Sequence, residues 1–451
     1  MKKTAKKLLI RIGILGAIWL LVWILALVQL FTDREYAISS SFVNSETVYT
    51  MIGLGILVVL ALSGLLLSLV LTARPILKRH PRWWKKLRKK GGPRSRFAGL
   101  TRIDAQQKKS AKTVYETREL TQLCDDFRNF AAGNLGLYYD IADIRRFIAG
   151  LGMGRLMIIR GMSGTGKTSL AYAAGAFFGN PSTIVPVQPM WKERSDLIGY
   201  FNEFTKRFNE TTLLCKMYEA GGCDDIYITV LDEVNISRIE YYFAEFLSLL
   251  EIPDPKKREL DVVSDAWDSD PKRLRLGKLQ LPQNMWFIGT ANNDDSTFSI
   301  SDKVYDRAAV LDLDKKCVPF VAKPTSCVRI SWKELERKFI QARYRHRMTQ
   351  SGQEKLEKLD QYLIKTFHIS FGNRIKRQVE KYVPVMIACG GTELGALDDI
   401  LARKILRKLE QQSPVLLRAE IPGLLALINT LFGTQEMSLS REYLERLYRG
   451  A

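Results

Sequence analysis

The stretch from Gly161 to Thr168, which reads GMSGTGKT, constrains the fold of this chain more than any other stretch. It fits the pattern G-x-x-x-x-G-K-[ST], in which a glycine-rich loop turns backbone N–H groups toward phosphate oxygens. The apolar run Leu156–Ile159 precedes the loop, and a helical pattern covers Ser169–Phe178 behind it. This order of strand, loop and helix predicts an α/β domain with a phosphate-binding P-loop.

The residues of this loop have expected roles in binding a nucleoside triphosphate. The Lys167 ammonium is expected to reach the β- and γ-phosphates, and the Thr168 hydroxyl is expected to ligate Mg²⁺. The first turn of the following helix adds partial positive charge. The residues predicted to contact the nucleotide are Gly161, Ser163, Gly164, Thr165, Gly166, Lys167, Thr168 and Ser169. The expected cofactor is Mg²⁺ with ATP or GTP.

Two acidic residues follow a later apolar run. Ile226–Leu231 reads as a buried strand, and Asp232 and Glu233 come directly after it. Ligands gather at the carboxyl ends of the strands in open α/β sheets. Two acids there could also cap a helix, but the preceding P-loop favours a catalytic pair. Asp232 is predicted to hold Mg²⁺ through water, and Glu233 to polarise the attacking water.

Two further strands are predicted, each beside polar residues. Asn284–Gly289 ends before Thr290–Asp295, whose polar side chains can orient a water beside the γ-phosphate. Asp306 and Arg307 come shortly before the strand Ala309–Leu313. Because strands alternate with helical patterns, the sequence predicts a parallel sheet flanked by helices.

The other segments are predicted to be mainly helical. The expected helices are Val114–Phe130, Ile141–Ile148, Ile236–Glu251, Trp332–Arg345, Gln353–Phe367, Arg374–Cys389, Leu394–Gln412, Val415–Phe432 and Leu439–Leu447. Thr183–Val187 reads as a strand leading into Pro189–Phe201, an aromatic loop that either contacts a partner or packs on its own domain. The charged region Pro253–Lys278 reads as a surface loop or hairpin.

Two apolar segments near the N-terminus predict a membrane anchor. Ile12–Phe31 is interrupted only by Gln29, and Met51–Leu71 carries no charge. Each run matches the roughly 20 residues that span a bilayer. The first could be a signal peptide, but no small-residue cleavage site follows it and a second span comes soon after. The sequence therefore predicts a transmembrane hairpin over residues 1–80, with spans at about 9–31 and 50–72.

The positive charge of the chain is concentrated beside these apolar segments. Of the net charge of +20, residues 2–11 carry +5 and residues 74–112 carry +14, which leaves +1 for all other residues. Basic flanks on both sides predict two cytoplasmic termini, in a bacterium at the inner membrane. Trp83 and Trp84 lie in the basic juxtamembrane linker 81–113, where inner-leaflet anionic lipid is favoured over nucleic acid as the partner.

The cysteines and histidines do not form a metal-site pattern. The six cysteines contain no C-x-x-C pair, and the chain has only three histidines, so the spacing of zinc ligands is absent. Reduced thiols are therefore expected, and a nucleotide-bound Mg²⁺ is the one metal expected.

The P-loop, the acidic strand end, the strand-end asparagine and the Asp-Arg pair, in this order, resemble the AAA+ NTPases. Within them the chain is most similar to the McrB-type branch, the NTPase subunits of McrBC-like restriction systems, near the MoxR branch. Three segments carry the narrower resemblance: Leu231–Asn235 (LDEVN), Asp196–Asn202 (DLIGYFN) and Asn292–Asp295 (NNDD). The resemblance covers about residues 135–410.

The resemblance implies roles for four further residues. Asn292 would be the sensor-1 residue, with Asp295 helping to place the water. Arg307 would be a finger that reaches the γ-phosphate of a neighbouring subunit. Arg374 would be a sensor-2 residue that contacts the nucleotide from the helical lid. A homo-oligomeric ring, with a hexamer as the expected size, follows from the same resemblance.

The predicted protein is a membrane-anchored AAA+ NTPase that assembles as a ring and remodels or drives a protein partner, with a McrBC-like defence system as one setting. The AAA+ core is expected over residues 114–318, and a helical lid and C-terminal domain over 319–451. The alternative is a slow switch, in which nucleotide-dependent assembly at the membrane recruits an effector such as a nuclease. A scaffold with a degenerate nucleotide site is a third interpretation. Because the DNA-binding module of McrB-type proteins is replaced by the membrane hairpin, direct DNA binding is not expected.

Overall fold

The computed structural model describes residues 95–107, 114–292 and 297–451. These residues belong to one compact unit, which starts at Pro93. The predicted transmembrane hairpin, most of the basic linker and Asp295 lie outside the described residues, and those expectations stay predictions.

A parallel sheet forms the centre of this unit. The strands among the described residues are β1 (Leu156–Gly161), β2 (Thr183–Pro186), β3 (Gly199–Asn202), β4 (Arg207–Glu210), β5 (Tyr227–Asp232), β6 (Glu259–Asp261), β7 (Leu274–Arg275), β8 (Lys278–Gln280), β9 (Met285–Asn292) and β10 (Ala309–Asp312). Five of them form the sheet, in the order β10-β1-β9-β5-β2, and every pair is parallel. Helices cover both faces, so the central strands are apolar and buried along their length. The predicted parallel sheet is confirmed.

Helices flank the sheet and make up the C-terminal part. They are α1 (Ala98–Gln107), α2 (Leu120–Leu135), α3 (Ile141–Met153), α4 (Lys167–Phe177), α5 (Arg194–Ile198), α6 (Thr212–Ala220), α7 (Ile239–Tyr242), α8 (Ala244–Glu251), α9 (Asp302–Tyr305), α10 (Trp332–Arg345), α11 (Gln350–Phe367), α12 (Gly372–Ala388), α13 (Glu393–Ile400), α14 (Pro414–Phe432) and α15 (Ser438–Gly450). A π-helix (Leu401–Ile405) and a 3₁₀ helix (Leu406–Gln411) follow α13. The C-terminal helices share one apolar core with a face of the sheet, where Ile159, Trp286 and Phe339 are buried together.

The predicted helix Val114–Phe130 is wrong at both ends. The structure starts it at Leu120 and continues it to Leu135, where Gly136 ends it with a φ of 66°. Residues 114–119 form no helix, and the N–H of Glu116 donates to the carbonyl oxygen of Arg329 over 2.7 Å. That partner is more than 200 residues away in the sequence, so a local pattern could not reveal it.

The predicted helix Ile236–Glu251 is also wrong, because the structure divides it into α7 and α8. Its first three residues belong instead to the loop 233–238, in which Asn235 and Ser237 are buried. The side chain of Asn235 donates to the carbonyl oxygen of Asn292, and that of Ser237 donates to the carbonyl oxygen of Trp191. Side chains that bond to distant backbone in this way compete with helix formation.

The third corrected helix is Leu394–Gln412, which is α-helical only as far as Ile400. The π-helix and the 3₁₀ helix then complete the predicted length. Side chains of the π-helix bond toward the sheet: Arg403 pairs with Asp312, and Lys404 donates to the carbonyl oxygen of Ala308. These contacts hold the chain in a wider turn than an α-helix allows.

The two predicted loops contain small antiparallel elements. The end of the aromatic loop Pro189–Phe201 forms the first strand of the β3–β4 hairpin, whose turn exposes Phe204 completely. Within the same loop Trp191 packs edge-on against Tyr242, with ring centroids 5.6 Å apart, whereas Tyr200 is exposed. The region Pro253–Lys278 contributes to a three-stranded sheet of order β6-β8-β7.

Arg96 connects the first described segment to the β3–β4 hairpin and to the loop before β7. Its guanidinium is buried, donates to Asp265 and Asp270 over 2.8 to 3.0 Å, and lies 4.3 Å from the ring centre of Trp267. Its carbonyl oxygen accepts a hydrogen bond of 2.9 Å from the N–H of Phe208 in β4. This part of the predicted basic linker is therefore bound both to the hairpin and to the loop before β7.

Within the described residues, α14 is the one helix long and apolar enough to cross a membrane, with a mean hydropathy of 1.6. One stripe of it is buried in the core, namely Leu417, Ile421, Leu424 and Ile428. This i, i+4, i+7, i+11 spacing is that of a helix packed on a folded domain.

Candidate nucleotide-binding site

The P-loop connects β1 to α4 at the carboxyl edge of the sheet. Its glycines adopt backbone angles that other residues rarely adopt, with φ of 76° at Gly164 and 89° at Gly166. Gly166 is also the N-cap of α4, so the first N–H groups of an eleven-residue helix face the loop. A side-chain carbon at Gly161 would collide with the carbonyl oxygen of Leu313. The local sequence therefore fixes both the turn and the position of the helix end.

Lys167 lies inside the loop. Its ammonium is buried and donates to the carbonyl oxygens of Met162 and Gly161 over 2.7 Å and 3.1 Å. Tyr139, from the turn before α3, donates its hydroxyl proton to the carbonyl oxygen of Gly166 over 2.9 Å. Burial raises the pKa of this tyrosine, so the hydroxyl stays protonated and holds the loop against the domain. A buried ammonium beside a helix N-terminus is a local site for an anion.

The side chains predicted to hold Mg²⁺ meet beside this loop. The hydroxyl of Thr168 donates to Oδ1 of Asp232 over 2.7 Å, which joins the start of α4 to the end of β5. A hydroxyl and a carboxylate are hard oxygen donors that suit Mg²⁺, which usually takes one or two protein ligands and completes its shell with phosphate and water oxygens. Within the described residues, no group of three or more His, Cys, Asp and Glu side chains is arranged to hold a metal without such help. The donor set fits a nucleotide-bound Mg²⁺.

Thr290, in β9, forms hydrogen bonds with both acidic residues at the end of the neighbouring strand β5. Its hydroxyl donates to Oδ1 of Asp232 over 2.7 Å and accepts from the N–H of Glu233 over 3.0 Å. Glu233 has a φ of 56°, which is uncommon for a residue with a side chain and is strained by about 1 to 3 kcal/mol. The N–H of Val234, bonded to the carbonyl oxygen of Thr290, helps to hold this turn. The Glu233 side chain is exposed at the end of β5.

Asn292 lies beside Glu233, as the motif order suggests. Its Nδ2 donates to Oε1 of Glu233 over 3.1 Å. Asn235 is buried behind this pair and donates from its amide to the carbonyl oxygen of Asn292 over 2.8 Å and to the hydroxyl of Thr297 over 2.9 Å. The asparagine of the LDEVN segment thus fixes the end of β9. The structure therefore brings Lys167, Thr168, Asp232, Glu233 and Asn292 to one edge.

The roles of two residues of this site are not predicted from the sequence. Thr290 falls in the polar run after a predicted strand, but a single threonine at a strand end carries no signal of its own. Tyr139 lies 27 residues before the loop glycine that it contacts, and no motif marks it. Asp295 is outside the described residues.

The two predicted arginines lie elsewhere, at the amino edge of the sheet. Arg307 donates to Glu251 over 2.8 Å and to the carbonyl oxygen of Lys303 over 2.7 Å, and Arg374 pairs with the other carboxylate oxygen of Glu251. They line a cleft of about 820 Å³ that also contains Leu156, the first residue of β1. The structure brings the two arginines together and does not bring Arg374 to the P-loop of its own chain.

This cleft is separated from the P-loop by the length of β1. The strand has six residues, or about 20 Å at roughly 3.3 Å per residue. The charged side chains around the cleft, apart from Glu251 and the two arginines, are Arg155, Arg258, Glu336, Arg343, Arg377 and Lys381. Cations outnumber acids there, and burial lowers the pKa of Lys381, as the neighbouring Arg343 also does. The cleft is suited to an anion supplied from outside the chain.

Comparisons with known proteins give distant likenesses. Residues 327–451 match a family model described as a domain of unknown function, DUF8727. No curated protein matches the chain. A solved structure of a candidate ATPase from Cytophaga hutchinsonii is similar with 13% identity and a TM-score of 0.43, over 73% of this chain and 96% of that one. A full-length MCM homologue from Methanopyrus kandleri is similar with 12% identity and a TM-score of 0.34, over 63% of this chain and 59% of that one. These likenesses are too remote to assign a function.

Proposed function

We propose that the chain is a P-loop NTPase of the AAA+ type, which binds a nucleoside triphosphate with Mg²⁺ and hydrolyses it. One observation carries the proposal: the strained Glu233 is held by Thr290 and Asn292 at the same strand edge where Asp232 bonds Thr168 of the P-loop. A structural cap would need neither the strain nor the shared hydrogen bonds. Strain of this kind is concentrated at functional sites.

The residues present account for each requirement of γ-phosphoryl transfer to water. Lys167 and the amino end of α4 attract the phosphates, while Thr168 and Asp232 would hold Mg²⁺. Glu233 accepts a proton from water as the water oxygen bonds to the γ-phosphorus, and the bond to the β–γ bridging oxygen breaks. Asn292 keeps the carboxylate oriented for this proton transfer. The products are a nucleoside diphosphate and inorganic phosphate.

The placement of the two arginines supports a shared site in a ring of copies. Arg307 and Arg374 are a strand length from their own P-loop, so they would serve the γ-phosphate of a neighbouring copy. A positive charge there stabilises the charge that develops on the phosphoryl oxygens. The McrB-type branch, a hexameric ring and a two-span anchor in a bacterial inner membrane belong to the same proposal, supported by the sequence motifs and the apolar N-terminal segments.

The test is hydrolysis by the full chain in detergent, with ATP and GTP in parallel. Wild type should release phosphate from one of them. Glu233→Gln should bind the nucleotide normally but lose activity by about 10² to 10⁴-fold, as loss of a general base does. Lys167→Ala should lose nucleotide binding, measured by calorimetry.

The matched controls are Lys216→Ala and Glu219→Gln, whose side chains pair with each other on α6. Both should behave as wild type. Hydrolysis by Glu233→Gln at the wild-type rate would remove Glu233 from the mechanism. Tight binding with a very slow wild-type rate would favour the nucleotide-dependent assembly switch instead.

A further inference from the structure

The two backbone carbonyls that flank Arg307 are both held by side chains of the C-terminal helices. Gln378 in α12 donates from Nε2 to the carbonyl oxygen of Asp306 over 2.8 Å. Lys404 in the π-helix donates from Nζ to the carbonyl oxygen of Ala308 over 2.8 Å and also to Oε1 of Gln378. The backbone on each side of Arg307 is therefore fixed by one connected pair of side chains.

Lys404 is an unusual residue to find in this place. It is 3% exposed, although the burial of an ammonium is unfavourable unless every donor is satisfied. Its backbone lies in a π-helix, a rare element that occurs often at functional sites. Methionine or leucine would fill the same space without this penalty, so the position calls for a hydrogen-bond donor.

Gln378 links the same contacts to Arg374. The two residues are four positions apart on α12 and so lie on one face of the helix. Any movement of α12 that shifts Arg374 also pulls on the carbonyl oxygen of Asp306. The hydrogen bonds of Gln378 and Lys404 therefore link the backbone around Arg307 to the helix that carries Arg374. The two arginines also share a contact with Glu251.

The π-helix also reaches the strand that carries the P-loop. Arg403, next to Lys404, pairs over 3.0 Å with Asp312 in β10, and Asp312 also pairs with Arg160, the residue before Gly161. Burial alone would raise the pKa of Asp312, but Arg403 and Arg160 hold it below its usual range, so both pairs remain charged. Through these contacts the residues around Lys404 connect the start of the P-loop with the backbone that carries Arg307.

We propose that Lys404 and Gln378 are positioning residues that hold Arg307 and Arg374 of one chain as a rigid pair for the triphosphate bound by a neighbouring copy. This inference rests on the proposed function, and in particular on the site being shared between copies. The hydrogen bonds of Gln378 and Lys404 go to the backbone around Arg307 and to each other, not to the P-loop. Their loss therefore impairs what a chain gives to its neighbour and leaves its own P-loop intact.

The experiment uses mixed rings of full-length chains, co-purified with two different tags. Lys404→Met and Gln378→Leu should each bind nucleotide as wild type does but show kcat lowered by about 100-fold, the effect of a displacement of roughly 1 Å in a catalytic group. Each should regain activity when mixed with Glu233→Gln, which supplies intact arginines. Neither should gain activity when mixed with Arg307→Ala, which shares the same defect.

Lys376→Met is the matched control, because Lys376 lies on the exposed side of α12 and should behave as wild type. The reference mixture is Arg307→Ala with Glu233→Gln. If that mixture stays inactive, the shared site of the proposed function fails and the inference fails with it. If it regains activity but neither Lys404→Met nor Gln378→Leu complements Glu233→Gln, only the inference is overturned. Should Lys404→Met lose nucleotide binding through misfolding, Gln378→Leu decides alone.

Discussion

Thr290 donates its hydroxyl proton to Oδ1 of Asp232 over 2.7 Å, although 58 residues separate the two in the sequence. The contact exists because β9, which carries Thr290, lies between β1 and β5 in the sheet. The strand between the P-loop strand and the acidic strand thus supplies the hydroxyl that fixes both acids. Thr290 is a positioning residue for Asp232 and Glu233.

The first prediction is that Thr290→Val lowers kcat by about 10 to 100-fold. The substitution keeps the shape but removes a hydrogen bond to a charged carboxylate, worth about 1.5 to 3 kcal/mol, and leaves the N–H of Glu233 without its acceptor. Nucleotide binding should change little, because the P-loop is untouched. Phosphate release at saturating nucleotide measures the effect.

Thr229→Val is the control for that substitution. Thr229 is fully buried in β5, and its hydroxyl has no hydrogen-bond partner among the described residues. We expect wild-type activity and an equal or higher free energy of unfolding from urea titration, since an unpaired hydroxyl is removed from the interior. Equal losses of activity in both variants would show that Thr290 acts only through packing.

The second prediction concerns Arg374, which the sequence resemblance places at the nucleotide of its own chain. Because Arg374 shares Glu251 with Arg307 at the amino edge of the sheet, Arg374→Ala should behave as Arg307→Ala does. Mixed with Glu233→Gln it should regain hydrolysis, and mixed with Arg307→Ala it should not. If the mixture of Arg374→Ala with Arg307→Ala regained activity, the two arginines would serve different active sites.

The third prediction is a pH dependence of stability that comes from Lys404. The pKa of Lys404 is lowered from 10.5 to about 7. Burial is the largest cause, and the positive charges of Lys408, Arg407 and Arg374 lower the pKa further, whereas the negative charge of Asp306 raises it. Between these values the unfolded chain holds a proton that the folded chain lacks, so this residue makes stability rise with pH. Its destabilising effect is largest below pH 7 and is gone above pH 10.5.

We therefore expect the unfolding free energy of wild type to increase relative to that of Lys404→Met between pH 7 and pH 9. Urea titrations of both proteins at each pH measure the difference, and the comparison cancels groups that titrate in both. A difference that stays constant or falls with pH would mean that Lys404 is charged in the folded protein throughout this range.

The fourth prediction concerns the N-terminal segments. If residues 1–80 form a two-span hairpin with basic flanks on the cytoplasmic side, a reporter active only in the periplasm and fused after Ala451 should be silent. A reporter active only in the cytoplasm, fused at the same place, should give signal. The reverse result would exclude the hairpin topology.

The sequence allowed the P-loop edge to be predicted because its determinants are local. Motif spacing places Lys167 and Thr168 at the start of α4, and an apolar run places Asp232 at a strand end, so a parallel sheet brings them to one edge. Thr290 is different, because its role depends on which strand lies between the other two. The same holds for Arg374, whose position follows from its ion pair with Glu251 of α8 and from the packing of α12 on α3 and α10, not from the residues beside it in the sequence.

The broken helix after Glu233 shows a second limit of the sequence. Its apolar spacing is helical, but Asn235 and Ser237 are used for contacts with Asn292 and Trp191, which no local pattern encodes. The α-to-π change at Leu401 has the same origin, because the side chains that favour it bond to β10 and the turn before it. In both places the backbone departs from the α-helix that the local sequence favours because a side chain bonds to an element far away in the sequence.

The anchoring of Arg96 determines where a mechanical load would enter the folded body. Tension along the N-terminal chain would meet a buried guanidinium clamped by Asp265 and Asp270, and a backbone bond to Phe208 of the hairpin. Such a load would be carried into the hairpin that exposes Phe204. A partner bound to that hairpin and a restraint on the N-terminal segment would therefore apply force to the same part of the molecule.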